Sequence, residues 1–367
     1  MRAVLVANAA LVFAGLMSFV LMGAGQSLYG PVLPAVARAF GLAVSETGLL
    51  VSAHWVGAAV GVAVMYLRGD RVTPRLSLGL MAAGSLLIAA MTGWWVTLAG
   101  AAIIGVGYGA ATVIYNRRFM LLFGDKGPSM LALLNAIFGI GAIGAPLVFV
   151  ALGSDLRLSF LIVAAMAAAT FLIARAPGAL PAEAAAQGPF RPRKGILVFG
   201  ALAIGTEACL IGLGPVALIA QGQTEEHAAQ LLSMFFVCFL VARLALVAVA
   251  SVLPPFRMLI GALAGAAVCA AGAWITAHPA FFVALGGFAG LFFPSFYVTA
   301  VKQMGHDPRV GPTVVAAGLV GGIVSPLVLA AVMARAGDGI FFALILGITG
   351  VTAVAALVAR QRMARAA

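Results

Sequence analysis

Long apolar segments follow one another along this chain, with only short polar breaks between them. Each is about 20 residues long, the length that an α-helix needs to cross the hydrocarbon core of a bilayer. The segments do not alternate apolar with polar residues, as transmembrane strands do. The pattern therefore predicts an all-α integral membrane protein with twelve transmembrane helices. The predicted spans are 6–34, 46–67, 75–94, 97–121, 128–152, 157–175, 196–221, 228–252, 256–276, 280–302, 310–335 and 339–360.

The longest polar break divides these segments into six and six. It is rich in Pro and Ala and basic at both ends, a composition typical of a flexible linker. We therefore predict a six-helix bundle over residues 1–175, a cytoplasmic linker over 176–194, and a second six-helix bundle over 195–367.

The two halves also share sequence. GAIGAPLV, residues 141–148, matches GGIVSPLV, residues 321–328, and the same offset in residue number relates Trp94 to Trp274. Two matches at one offset, on either side of the predicted linker, indicate an internal duplication. Parallel repeats of this kind recur among secondary transporters.

Composition excludes a soluble protein. The chain is 64% hydrophobic and 8% charged, whereas soluble domains carry roughly a quarter charged residues. Its net charge of +11 comes from basic residues scattered between apolar segments, which argues against a nucleic-acid surface and agrees with the positive-inside rule. Of 21 Lys and Arg residues, 17 fall on one side of the predicted topology, three fall on the other, and Arg243 lies within a span. We therefore expect both termini in the cytoplasm and a multi-pass protein of a bacterial inner (plasma) membrane.

One acid lies deep within the predicted spans. Glu207 is near the middle of span 196–221, and a carboxylate at that depth costs several kcal/mol unless it faces protein or water. Arg243, in the next span, differs from it in depth by only about 3 Å at 1.5 Å per residue. Two interpretations stay open: a static ion pair, or a switchable pair that exchanges a proton during a transport cycle. Burial and a neighbouring guanidinium act in opposite directions on the ionisation of such an acid.

Uncharged polar and aromatic groups also lie at membrane depth. Such groups orient polar ligands in transporter cavities, but each is equally consistent with hydrogen bonding between packed helices. We expect His54 to be packed and neutral, and Trp55 beside it to belong to the core rather than to a sugar-stacking surface. The candidates for a substrate cavity are Gln26, Tyr29, His54, Tyr108, Asn116, Asn135 and Tyr297.

A family resemblance is carried first by MYLRGDRVTPRLSLG, between the second and third spans. Its Gly69-Asp70-Arg71 core followed by Arg75 resembles the cytoplasmic loop signature of the major facilitator superfamily. In that family the loop acts as a latch between two six-helix halves. The resemblance implies a cytoplasmic gate formed by Asp70, Arg71 and Arg75, and the major facilitator fold for the whole chain.

Three further segments resemble the fucose-permease-like sugar:proton symporters within that superfamily. LLNAIFGIGAIGAPLV in the fifth span carries the match at Asn135, Phe138, Gly139, Gly141 and Pro146. LLSMFFVCFLVARL and GLFFPSFYVTAVKQMG are similar to helix 8 and helix 10 of these proteins, and Glu207 and Arg243 stand where they have a glutamate and an arginine.

The resemblance has one gap. The fucose permease carries acids in helices 1 and 4, whereas this chain has Gln26 in its first span and Tyr108, Tyr115 and Asn116 in its fourth. Two carboxylates that contribute to proton coupling and sugar binding in that family are therefore missing, so the solute and the stoichiometry stay open, while the resemblance still implies a coupling role for Glu207 and Arg243.

Together these features predict a secondary active transporter that moves a small solute by alternating access, with proton coupling and a sugar-like solute as the implied case. The alternatives are a proton-driven exporter of amphipathic compounds and, in another class, a membrane sensor or enzyme on a transporter-like body. Enzymatic activity is not expected, because the sequence has no cluster of acids, histidines or metal ligands near an interface. The expected partners are a small-molecule substrate, protons and the lipid bilayer. We expect a monomer with no nucleic acid, cofactor or metal.

Overall fold

A computed structural model describes residues 6–42, 49–69, 71–174, 190–305 and 307–366. Regular secondary structure in these ranges is helical, with no strand. The chain divides into two compact units, Met1–Ala185 and Ala186–Ala367. Most of the predicted linker over 176–194 lies outside the described residues and stays a prediction.

The first unit contains six α-helices. Local sequence explains where several of them begin: the Thr73 hydroxyl accepts the Leu76 N–H at 3.1 Å in front of Pro74, and Asp155 accepts the Leu158 N–H at 3.0 Å. The helices are α1 (Ala9–Phe40), α2 (Leu49–Arg68), α3 (Pro74–Ala90), α4 (Trp94–Leu122), α5 (Gly127–Ala151) and α6 (Leu156–Ile173).

The second unit also contains six helical spans, and one of them is broken. Its helices are α7 (Lys194–Ala220), α8 (Glu225–Val249), α9 (Pro255–Thr276), α10a (Ala280–Ala289), α10b (Phe292–Met304), α11 (Val310–Ala336) and α12 (Phe341–Ala366). α10a and α10b follow one another as a single apolar span, Ala280–Met304, interrupted at residues 290–291.

The twelve predicted spans are confirmed. Within the described residues, 11 helical segments are long and apolar enough to cross a membrane, and α3 is an apolar helix of 17 residues. The clearest difference is at α1, which continues to Phe40 rather than ending at residue 34. It ends at Gly41, whose φ of 64° lies in the left-handed region that glycine adopts without a Cβ clash.

Each unit is built on closely packed helix pairs, and the pairs repeat. α1 packs on α5 and α2 on α4, while α7 packs on α11 and α8 on α10a. In the α2–α4 pair, a Cβ on Gly105 would collide with the carbonyl oxygen of His54. In the α8–α10a pair, a Cβ on Gly286 would collide with the carbonyl oxygen of Phe235, and both members are shifted along the chain by the same amount.

The same relation holds at further contacts. Gly109 meets the Ala58 carbonyl as Gly290 meets the Phe239 carbonyl, again with one common shift for both members. The α1–α5 and α7–α11 pairs repeat too, because Gly141 meets the Val20 carbonyl oxygen as Gly321 meets that of Ala201. Backbone contacts therefore support an internal duplication, although on α4 they align Trp94 with Ile275 rather than with Trp274. They align Val20 of α1 with Ala201 of α7, and we call the shift between these two residues the repeat offset.

Candidate functional site

The predicted ion pair is present in the second unit. Arg243 Nη2 on α8 lies 3.8 Å from Glu207 Oε1 on α7, with side-chain exposures of 6% and 16%. This separation is within ion-pair range but longer than a hydrogen bond. The other carboxylate oxygen, Oε2, is buried and finds no hydrogen-bond partner in the part of the chain that the structure describes. The carboxylate is thus near a positive charge without being fully satisfied by it.

Arg243 also contacts the broken helix. Its Nε donates to the carbonyl oxygen of Gly290 at 3.1 Å, and its guanidinium carbon lies 4.0 Å from the centre of the Phe239 ring. In a continuous helix the Gly290 carbonyl would accept from residue 294, but Pro294 has no N–H to donate. This contact was not predicted from the sequence, where the available signal was a proline four residues after a glycine.

A second polar cluster lies in the first unit and joins four of the predicted cavity residues. The Tyr108 hydroxyl on α4 donates to Gln26 Oε1 on α1 at 3.2 Å. The Tyr29 hydroxyl on α1 hydrogen-bonds His54 Nδ1 on α2 at 3.0 Å. The His54 and Tyr108 rings meet edge to face with centroids 5.1 Å apart, which connects the two hydrogen-bonded pairs. We call these four residues, together with Trp55, the α1–α2–α4 cluster.

Trp55 completes this cluster on its aromatic side. Its ring centroid lies 5.4 Å from that of His54 and 5.8 Å from that of Tyr108. His54 is 1% exposed, yet its Nε2 has no hydrogen-bond partner among the described residues. Buried ring nitrogens are normally paired, so this atom is an exception among the described residues.

The other cavity candidates lie elsewhere. Asn116 on α4 is fully buried, and neither amide atom has a hydrogen-bond partner within the described ranges. Asn135 on α5 donates from Nδ2 to the Leu131 carbonyl of its own helix at 2.9 Å. Tyr297 belongs to the second unit, on α10b, where its ring packs against Phe293 with centroids 5.8 Å apart.

The predicted cytoplasmic gate is described only in part. Asp70 lies outside the described residues, and Arg71 is exposed. Arg75 Nε donates to the Ala174 carbonyl at 2.6 Å, just past the end of α6, and its guanidinium lies 5.7 Å from the Phe171 ring centre. A cation at a helix C-terminus is favourable, so Arg75 has a stabilising contact within its own unit. A gating role for the three residues stays a prediction.

The two polar clusters occupy equivalent positions of the repeat. By the repeat offset, Gln26 of α1 is the residue equivalent to Glu207 of α7. Tyr108 and Gly109 of α4 are equivalent to residues 289 and 290 at the α10 break. In the first unit the equivalent contact is neutral, from Tyr108 to Gln26. In the second unit it is charged and runs through Arg243. The second unit therefore carries an ion pair at the position where the first unit has a hydrogen bond between two uncharged side chains.

Two units of six helical spans, each with polar groups buried among apolar helices, define an integral membrane transporter. The family model described as "Major Facilitator Superfamily" matches residues 15–326. The chain belongs to the Major Facilitator Superfamily, and it is a transporter rather than an enzyme.

Solved structures share this fold. A crystal structure of the transporter FucP in the outward conformation has a TM-score of 0.72 at 18% identity, covering 94% of this chain and 98% of that one. A structure of a variant of the E. coli fucose:proton symporter FucP has a TM-score of 0.72 at 20% identity, with coverages of 94% and 98%. The human organic anion transporter MFSD10 has a TM-score of 0.77 at 16% identity, with coverages of 95% and 99%. No curated protein matches the chain.

Proposed function

We propose that this protein is a proton-coupled secondary transporter of a small polar solute, with Glu207 as the proton carrier and Arg243 as its partner. The observation that carries the proposal is the largely buried Glu207 carboxylate, 3.8 Å from Arg243 Nη2 rather than in a tight bidentate pair. Its Oε2 lacks a hydrogen-bond partner among the described residues. Because a buried, poorly paired carboxylate is costly when charged, small changes around it favour gain or loss of a proton.

The proposed solute-binding groups are those of the α1–α2–α4 cluster. Its amide, phenol and imidazole groups are neutral hydrogen-bonding partners, and its aromatic rings offer flat apolar surfaces. This chemistry fits an uncharged solute with several hydroxyl groups, such as a sugar or polyol. The shared fold with a fucose:proton symporter is in line with that class of solute.

A second candidate is proton-driven export of an amphipathic organic compound. The aromatic share of the α1–α2–α4 cluster favours it, since three of its five side chains are Tyr or Trp rings. One protein that shares the fold is an organic anion transporter. Transport in sealed proteoliposomes with an imposed proton gradient separates the two, because symport and exchange against protons move the solute in opposite directions relative to that gradient.

A thermal-shift screen of the purified protein against sugars, polyols and amphipathic organic compounds would identify a ligand. Uptake of that ligand into proteoliposomes, with and without a proton gradient, then tests the function. We expect gradient-dependent accumulation. Transport that only equilibrates the ligand, whatever the gradient, would contradict proton coupling.

The variant Tyr108→Phe is expected to weaken binding of that ligand about 2- to 10-fold, the worth of one hydrogen bond of about 0.5–1.5 kcal/mol. It removes the hydroxyl that donates to Gln26 and leaves the ring that packs on His54. The dissociation constant measured by titration calorimetry checks this. Tyr66→Phe is the matched control, because Tyr66 is 42% exposed on α2 and belongs to no part of the cluster. Equal affinities for both variants would remove Tyr108 from the site.

We also propose that both termini face the cytoplasm of a bacterial cell and that the protein works as a monomer. In a variant without the three native cysteines, a cysteine at Glu225 should react with a membrane-impermeant reagent added outside the cell, and one at Arg191 should not. The unequal distribution of Lys and Arg across the predicted topology is the physical reason. The reverse labelling pattern would overturn this orientation.

A further inference from the structure

We propose that Arg243 transmits the protonation state of Glu207 to the break in α10, because it contacts the Glu207 carboxylate on α7 and the Gly290 carbonyl at the break at the same time. The inference rests on the proposed function, because it takes Glu207 as the group that gains and loses the proton. It adds a mechanical link between the proton site and a discontinuous helix.

The Gly290 carbonyl lacks its usual donor within the helix. α10a ends at Ala289 and α10b begins at Phe292, so the helical hydrogen-bond ladder is interrupted between them. The Leu291 N–H reaches back only to the Phe288 carbonyl, at 3.1 Å, and Pro294 offers the Gly290 carbonyl no N–H. A carbonyl freed in this way inside an apolar span needs another donor. Arg243 Nε supplies it at 3.1 Å.

The close approach of α8 to the α10 break makes the bond from Arg243 to Gly290 possible. A Cβ on Gly290 would collide with the Phe239 carbonyl, so only glycine lets α8 and the α10 break approach so closely. Phe239 and Arg243 are four residues apart, which places them on the same face of α8. The Arg243 guanidinium accordingly lies over the Phe239 ring, 4.0 Å from its centre. These contacts hold Arg243 at the break independently of Glu207.

The protonation state of Glu207 changes the forces on the Arg243 guanidinium. An ionised Glu207 attracts the guanidinium toward α7, in competition with the Gly290 carbonyl and the Phe239 ring. When Glu207 takes up a proton, that attraction is lost, whereas the contacts of Arg243 with the Gly290 carbonyl and the Phe239 ring do not depend on the charge of Glu207. Protonation therefore strengthens the attachment of Arg243 to Gly290 and protects the break, and ionisation loosens it.

Other titratable groups stand apart from this link. Among the described residues, Arg243 is the charged group paired with Glu207. The elements packed on α7 are α8, α10a, α10b, α11, α12 and the turn at Asp338–Ile340. Of the other charged or titratable residues whose side chains the structure describes, His227, Lys302, Arg335, Asp338, Arg360 and Arg362 lie near helix ends, and Cys238 and Tyr297 lie within spans. On α7 itself the others are Lys194, at its first residue, and Cys209.

The test uses Pro294→Ala in the full-length protein. Alanine restores an N–H that can bond the Gly290 carbonyl within the helix, while Glu207 and Arg243 are unchanged. The readout is hydrogen exchange of the peptide covering residues 286–296, measured by mass spectrometry from mildly acidic to mildly basic pH and corrected for the intrinsic exchange rate. The wild type should lose protection at the break as pH rises, and Pro294→Ala should lose this pH dependence.

Two comparisons sharpen the test. Pro326→Ala is the matched control, because Pro326 also lies inside a helix of the same unit, α11, and should leave the pH dependence at residues 286–296 unchanged. Arg243→Lys keeps the positive charge but lacks the Nε–H of the guanidinium, and should lose the pH dependence. If Pro294→Ala or Arg243→Lys retains the wild-type pH dependence, or Pro326→Ala abolishes it, the link through Gly290 is wrong.

Failure of this link and failure of the proposed function are distinguishable. Glu207→Gln should hold the break in its protected state at every pH and should also lose proton-driven accumulation. If it loses accumulation while the break keeps its pH dependence, Glu207 carries the proton but Arg243 does not transmit it. If it keeps both, the proposed proton carrier is itself wrong.

Discussion

Glu207→Gln should abolish proton-driven accumulation of the solute while leaving exchange across the membrane measurable. Glutamine keeps the size and hydrogen-bonding capacity of the side chain but cannot gain or lose a proton. Accumulation needs that proton, because the gradient can drive the cycle only through a group that carries it. The measurement is uptake into proteoliposomes under an imposed proton gradient, compared with exchange of labelled solute at equal pH on both sides.

A purely structural role for the pair predicts another result. Glutamine would then leave the buried Arg243 charge uncompensated, and the loss of stability would be about 3–5 kcal/mol. The double variant Glu207→Gln with Arg243→Gln removes both charges. With a structural pair it should fold and accumulate solute normally; with a proton carrier it should fold and fail to accumulate. Wild-type accumulation by the double variant would remove Glu207 from the coupling mechanism.

Gly286→Ala is expected to lower the free energy of unfolding by about 1–3 kcal/mol, the usual cost of adding a methyl group to a packed helix contact. The new Cβ would collide with the Phe235 carbonyl oxygen, and a backbone atom cannot move aside as a flexible side chain can. α8 and α10a would have to separate, which also disturbs the Arg243 contact at the break. Unfolding of the purified protein in detergent, followed by heat or denaturant, measures the effect.

The neighbouring Gly287 provides the control. A Cβ there would lie 4.0 Å from the Cys238 carbonyl oxygen, an ordinary van der Waals contact. Gly287→Ala makes the same chemical change one residue away and should leave stability equal or slightly higher, because alanine favours the helix more than glycine. Equal stability of the Gly286 and Gly287 variants would contradict the close packing of α8 on α10a.

The ion pair shows how far sequence reasoning reached at the candidate site. Depth along two neighbouring spans was enough to predict that Glu207 and Arg243 meet, and they lie 3.8 Å apart. Depth says nothing about helix rotation, however. Seven cavity candidates were therefore equivalent in the sequence, and packing alone joins Gln26 to Tyr108 and Tyr29 to His54.

The sequence by itself determined the twelve spans of this protein, because in lipid a long apolar segment without strand-like alternation satisfies its backbone hydrogen bonds by forming a helix. Only the tertiary structure decided which helices touch and what Arg243 binds. Those contacts run through backbone carbonyls, of His54 and Phe235 at the helix pairs and of Gly290 at the break. A carbonyl is common to every residue, so neither the repeated helix contacts nor the partner of Arg243 at the α10 break is visible in the side-chain pattern.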